Sequence, residues 1–266
     1  MIYVMSDIHG CYDEFQQMLK KINFNPEKDE LIIDGDIIDR GSQNLEMLRY
    51  MESNPKGVTF ILGNHDYDFM FYCKGIKHIF REQFWEDMYD VYDCPTFKRF
   101  VKDHYGTVKE LIKTHNELTL KDFEVWQKKF ESMPYYVERT VNGKNYIIVH
   151  GGFITEENYK CHGYEIYRDY DFENIETFYI WARNEQLYLG GKPDTTIIFG
   201  HTPTIFADEG FYNDGRVWKY NRKTDNCTFI NIDCGLVYKK QFPKECNNGR
   251  LACIRLDDEK IFYLEA

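Results

Sequence analysis

Three apolar runs early in the chain each stop in a polar block, and this recurrence restricts the fold more than any other feature. Ile2-Tyr3-Val4-Met5 ends in Ser6-Asp7-Ile8-His9-Gly10, Leu31-Ile32-Ile33 ends at Gly35-Asp36-Ile37-Ile38-Asp39-Arg40-Gly41, and Val58 to Leu62 ends in Gly63-Asn64-His65-Asp66. Short runs of this kind read as buried strands. Helical spacing follows two of them, with Phe15, Met18, Leu19 and Ile22 after the first and Leu45, Leu48 and Met51 over about 44–52 after the second. Strand, loop and helix repeated in this way predict a parallel sheet with covered faces, its site built by loops at the carboxyl ends of the strands.

From 67 to 133 no strand-like run occurs. Phe97, Phe100, Val101, Tyr105, Val108, Leu111 and Ile112, then Leu120, Phe123, Trp126 and Phe130, fall in helical spacing and predict a helical segment, read as further packed helices with a small subdomain flanking the site as the alternative. His78, His104 and His115 lack ligand spacing there and read as surface residues. Strands return at Tyr135 to Thr140 and Asn145 to Val149, joined by an Asn142-Gly143 turn, and the second ends at His150-Gly151-Gly152. Thr196 to Phe199 ends at Gly200-His201-Thr202-Pro203. The tail runs Val217 to Tyr220, Thr228 to Ile232, Leu251 to Leu256 and Lys260 to Leu264 predict a second, largely antiparallel sheet. The class is α/β (α+β), read as a single domain over 1–266.

Composition narrows the partners. Lys and Arg number 33 against 44 acidic residues, a formal charge of −11, so no chain-wide basic field draws nucleic acid or an anionic membrane. No basic leader and no run of eighteen apolar residues occurs, which predicts a cytoplasmic protein without a membrane span. Eight cysteines stand singly with no Cys-x-x-Cys, as reduced thiols do rather than a zinc ribbon or disulfide scaffold.

The strand ends together supply Asp7, His9, Asp36, Asn64, His150 and His201, a carboxylate, amide and imidazole set suited to Mn, Fe or Zn. An Asp-x-His triplet by itself is expected in roughly one chain in three of this composition, so the later histidines carry the weight. With Asp7 and His9 on one ion, Asn64, His150 and His201 on the other, and Asp36 bridging, two divalent ions roughly 3.5 to 4 Å apart would share a hydroxide. Arg40 offers a planar fork for phosphate oxygens, and Arg183, in Trp181-Ala182-Arg183, is the second candidate clamp beside Asn64. His65 follows a proposed ligand directly and is the candidate general acid, with Asp66 or Asp39 holding its imidazole.

In order, Asp-Ile-His-Gly, Gly-Asp-Ile-Ile-Asp-Arg-Gly, Gly-Asn-His-Asp, His-Gly-Gly and Gly-His-Thr-Pro resemble the five signature blocks of the calcineurin-like metallophosphoesterases. More narrowly they are similar to the serine/threonine phosphoprotein phosphatase branch, with its bacterial and phage phosphatases and symmetrical diadenosine tetraphosphatases. The tail, Asn231 to Gly235 and Gly249-Arg250-Leu251, resembles the closing strands of bacterial members. The resemblance implies a two-sheet β-sandwich flanked by helices, two divalent metals, arginines on phosphate, and a histidine acid paired with an acidic residue. Three positions depart from the pattern. Ser6 stands where many members have Gly, Asp66 replaces a common Glu, and Gly151 stands where the tetraphosphatases more often carry Ala.

Metal-dependent hydrolysis of phosphomonoesters by a serine/threonine phosphatase-like enzyme, with manganese the expected metal, is therefore the leading expectation. A symmetrical dinucleoside tetraphosphate hydrolase is the alternative, the substrate being a phosphoprotein in one case and a small phosphate ester or nucleotide in the other. A catalytically silent binding protein would not need every chemical position filled, as they are here.

Overall fold

The computed structural model describes residues 1–79, 107, 110–111, 118–162, 174–207 and 210–265. Strand β1 (Ile2–Ser6) pairs in parallel with β2 (Glu30–Asp34), and β2 with β3 (Val58–Ile61), as the repeated units predict. A hairpin of β4 (Tyr136–Val141) and β5 (Lys144–Val149) follows, its Asn142 and Gly143 both at positive φ as a two-residue hairpin turn requires. Then come β6 (Thr195–Phe199), β7 (Trp218–Arg222), β8 (Cys227–Asn231), β9 (Arg250–Arg255) and β10 (Lys260–Glu265). The strands form two five-stranded mixed sheets, ordered β10-β9-β1-β2-β3 and β4-β5-β6-β8-β7.

The tail does not form a sheet of its own. Strands β7 and β8 extend the second sheet, with β8 parallel to β6, whereas β9 pairs antiparallel with β1 and carries β10 on its far side. Burial explains this division. Leu251 and Cys253 of β9 pack on the helix side and Ala252 and Ile254 on the sandwich interior, so both faces are apolar and the strand sits inside a sheet.

Alternation sorts the core into layers. Val4, Ile32 and Ile61 of the first sheet meet Ile148, Ile198 and Ile230 of the second. Tyr3, Met5, Leu31 and Ile33 on the outer face pack beneath α1 (Tyr12–Lys21), α2 (Asn44–Glu52), α3 (Asn64–Ile79) and α4 (Leu120–Glu131). The outer face of the second sheet is covered by α5 (Ile175–Trp181) through Phe178 and Tyr179. A short α6 (Leu236–Gln241) follows β8.

Of the expected helical segment, α3 and α4 are present, joined by Phe69 against Trp126 and Phe130. Phe97, Phe100, Val101, Tyr105, Val108, Ile112, His104 and His115 lie outside the described residues, as does the His78 side chain. Described cysteines are free thiols, and Cys94 lies outside the described residues. Among the described residues no helix is long and apolar enough to cross a membrane.

Far from the strand ends that carry the polar blocks, Glu259 in the β9–β10 turn ties the two sheets together. It accepts from Lys144 on β5, from Lys219 on β7 at 2.9 Å and from the Tyr146 hydroxyl at 3.2 Å. Burial works to raise its pKa, but the two lysines prevail and push it down to about 2. A depressed carboxyl contributes stability above its unfolded value, and the contribution is lost as pH falls through the folded one. Glu259→Gln is therefore expected to lower Tm at pH 7 by about 1 kcal/mol or less in equivalent stability. The gap from wild type should close as pH drops from 4.5 towards 2 in thermal unfolding followed by circular dichroism.

Candidate metal centre

The loops after β1, β2, β3, β5 and β6 converge at one end of the sandwich. Asp7, His9, Asp36, Asp39, Arg40 and His201 all adopt positive φ, between 46° and 73°. Such backbone costs on the order of 1 kcal/mol per non-glycine residue and collects at functional sites. The loops are locked against one another by His9 N–H on the Asp36 carbonyl and Gly10 N–H on the Ile37 carbonyl, both at 2.9 Å. Gly200 lies so close that a Cβ there would fall 2.1 Å from Asp7 Oδ2, so only glycine lets β6 deliver His201 beside Asp7.

Asp36 occupies the middle. Its Oδ2 lies 3.5 Å from His9 Nε2 and its Oδ1 lies 3.4 Å from His150 Nε2. The first imidazole is turned by its other nitrogen, His9 Nδ1 meeting the Ile38 carbonyl at 2.7 Å. His150 Nδ1 meets the Asp34 carbonyl at 3.1 Å in the same way. The two carbonyls accept from Nδ1–H of each ring and turn both Nε2 atoms towards Asp36. Asn64 Oδ1 lies 3.1 Å from His150 Nε2 and 2.9 Å from His201 Nδ1. Asp7 accepts the His201 amide at 3.1 and 3.2 Å. All six residues read from the strand ends thus meet in one buried cluster.

Two groups of donor atoms share Asp36, one with His9 and His65, the other with His150 and His201, each within 4.8 Å of one another. His65 takes the place expected for Asp7 in the first group, yet both of its ring nitrogens already have protein partners.

The electrostatics fit a cationic occupant. Burial, reinforced by Asp36, pushes Asp7 up to about 7 and Asp66 up to about 7. Asp34 rises to about 8 for the same two reasons, with both of its carboxyl oxygens buried and lacking a hydrogen-bond partner. Burial also opposes charge on His150, but Asp36, Asp7 and Asp34 prevail and raise it to about 10. Burial depresses His9 and His201 well below the ordinary imidazole value, leaving them neutral. Crowded buried carboxyls beside neutral imidazole lone pairs, with no thiolate among them, match hard or borderline divalent ions.

Beside this cluster, His65 Nδ1 sits 2.9 Å from Asp39 Oδ2 and Nε2 sits 2.9 Å from an Arg40 nitrogen. Asp66, the other candidate partner, points elsewhere. Its oxygens accept the amides of Ile37 and Gly63, each at 3.1 Å, and staple the second loop to the third. Arg40 also donates to the Tyr238 hydroxyl, its guanidinium 5.1 Å from that ring. Arg183 reaches Thr202 Oγ1 at 3.0 Å and so braces the loop that carries His201. Trp181, 38% exposed, stands edge-on to the His201 ring at 6.1 Å.

Four nearby residues escaped the sequence reading: Tyr238 on Arg40, Asn44 and Thr107 on Asp39, and the buried Asp34. The tail block Asn231 to Gly235 was a signal for Tyr238, which follows it on α6, but no spacing marked Asn44 or Thr107. Gly151 receives a packing explanation, since a Cβ there would lie 2.8 Å from backbone atoms of Ile180 and Trp181. Alanine is therefore excluded by the end of α5, whatever the substrate.

A family model described as calcineurin-like phosphoesterase matches residues 1–234. A symmetrical bis(5'-nucleosyl)-tetraphosphatase of Buchnera aphidicola subsp. Schizaphis graminum is 32% identical over 154 residues, 54% of this chain and 54% of that one. The match thus spans about half the length of that relative. Among solved structures, a metallophosphoesterase from Sphaerobacter thermophilus superposes with a TM-score of 0.52 at 15% identity, over 100% of this chain and 87% of that one. A protein serine/threonine phosphatase from Saccharomyces cerevisiae gives 0.51 at 16%, over 100% and 79%. At such identities the likeness is one of fold.

Proposed function

The chain belongs to the calcineurin-like phosphoesterase family, and from that premise we propose that it hydrolyses symmetrical dinucleoside tetraphosphates between their two central phosphates. The observation that carries the hydrolytic reading is the position of Asp36, with one oxygen towards His9 and the other towards His150, at the junction of two donor groups. His9 and Asp36, with Asp7 beside them, would hold one divalent ion, and Asp36, Asn64, His150 and His201 the other. When bound, such a pair supplies a water nucleophile at neutral pH and neutralises phosphoryl charge. Manganese, iron and zinc all suit these donors.

The protein groups do the rest. Arg40, already held against His65 and Tyr238, clamps non-bridging phosphate oxygens with its fork. Asp39 accepts the Nδ1 proton of His65, and Nε2, which accepts from Arg40 in the free protein, takes up a proton and delivers it to the departing oxygen once Arg40 turns to the phosphate. Asp66 keeps the second and third loops in register and takes no proton in this scheme.

Two observations favour the dinucleotide over a phosphoprotein. The Buchnera relative bears that activity in its name, and the exposed Trp181 indole beside His201 offers a nucleobase a stacking face. The Gly151 feature that pointed to a protein phosphatase is accounted for by α5. Diadenosine tetraphosphate incubated with manganese-loaded protein is expected to give two ADP as the sole nucleotide product by anion-exchange chromatography. An intact dinucleotide beside a dephosphorylated phosphoserine peptide would transfer the assignment to the protein phosphatases.

A further inference from the structure

We propose that Thr107, contributed by the stretch between α3 and α4, is a positioning residue that fixes the orientation of the Asp39 carboxylate and through it the His65 imidazole. Thr107 is fully buried. Its hydroxyl donates to Asp39 Oδ1 and accepts the Asp39 amide at 3.0 Å, while Asp39 Oδ2 faces His65 Nδ1 at 2.9 Å. One hydroxyl thus holds both the backbone and the side chain of the residue that orients the ring.

The need for such a brace follows from the backbone. Asp39 sits at φ 73°, and a carboxylate turns about a broad two-fold torsion, so Oδ2 is not directed at His65 by local geometry alone. With Oδ1 taken by Thr107 and Oδ2 by His65, rotation would break two buried hydrogen bonds.

A second anchor three residues on secures the first. Glu110 accepts the amides of Asn44 and Leu45 at 2.8 and 2.7 Å, gripping the first turn of α2, and also accepts the Asn44 side-chain amide at 2.9 Å. Asn44 Oδ1 in turn accepts the Asp39 amide at 2.8 Å. Thr107 and Glu110 therefore reach Asp39 by two routes that close on one another, and their stretch of chain becomes part of the proton-delivery machinery. Among the described residues of the helical region, Thr107 and Glu110 form this brace.

The inference rests on His65 acting as the acid, and dependence on the leaving group separates the two ideas. A dinitrophenolate needs little protonation to depart, whereas the alkoxide of glycerol phosphate needs much. In manganese-loaded protein, Thr107→Val is expected to lower kcat for glycerol phosphate roughly tenfold to a hundredfold more than for dinitrophenyl phosphate, with KM within about twofold. Thr107→Ser should restore the wild-type ratio. The Nδ1 proton of His65, identified by its loss in His65→Asn, should resonate downfield in wild type and exchange faster with water in Thr107→Val, a readout independent of turnover. If the valine variant does not fold, Thr107→Ala is read in the same way. Should His65→Asn affect both esters equally, the assignment of the acid fails. Should it discriminate between them while Thr107→Val does not, the role of Thr107 is overturned.

Discussion

Asp36→Asn is expected to lower hydrolysis by roughly a thousandfold or more while leaving the fold intact, because the neutral amide would take away the anionic group shared by the two sets of donors that would hold the metal ions. The amide keeps one oxygen, so it can face either His9 or His150, which are served by different oxygens of Asp36 at 3.5 and 3.4 Å. Its nitrogen would also present hydrogens to a lone pair. The loop itself should survive, since the His65 amide that bonds Asp36 Oδ1 at 3.0 Å can bond an amide oxygen equally well. Elemental analysis should show the variant retaining no more than one ion per chain. Manganese should raise the Tm of wild type, as any ligand of the native state must, and raise that of the variant far less. A variant that binds two ions and turns over normally would remove Asp36 from the bridge.

The strand-end blocks were legible because the sandwich puts chemistry where its strands stop. In a parallel unit the loop after each strand faces the same end, so Asp7, Asp36 and Asn64 had to converge once Ile2 to Met5, Leu31 to Ile33 and Val58 to Leu62 were strands of one sheet. His150 and His201 obey the same rule in the second sheet, where β5 and β6 are parallel neighbours.

Pairing across long sequence separations was not legible. Strand β9 is apolar on both faces, which identifies a central strand but not its neighbour, and its partner β1 lies about 250 residues earlier. The two acids offered for His65 posed a subtler problem. Asp66 is adjacent in sequence, but at the N-terminus of α3 a first-turn carboxylate is drawn to free amides, here those of Gly63 and Ile37. Asp39 reaches the ring only because its loop runs through left-handed backbone at Asp39 and Arg40, which sequence periodicity does not encode. Tyr238 and Thr107 touch Arg40 and Asp39 from 198 and 68 residues away.

Arg40→Ala is expected to lower kcat/KM by roughly a hundredfold to a thousandfold, as loss of a positioned phosphate clamp does. Arg40 is held before substrate arrives: one nitrogen meets His65 Nε2 at 2.9 Å, another the Tyr238 hydroxyl, and the Gln241 amide bonds its carbonyl at 2.7 Å. A pre-set fork loses little conformational freedom on meeting phosphate, so its removal should appear in kcat as well as in KM. Lysine cannot span two oxygens and the tyrosine together, so Arg40→Lys should recover no more than about tenfold. Tyr238→Phe removes one hydrogen bond but keeps the ring beneath the guanidinium at 5.1 Å, so its loss should stay near severalfold. The order Ala, Lys, then Tyr238→Phe in rising kcat/KM, measured on one substrate with metal content equal in all proteins, checks the clamp. Equal activity of Arg40→Ala and wild type would place the phosphate elsewhere, with Arg183 beside Thr202 the next guanidinium to test.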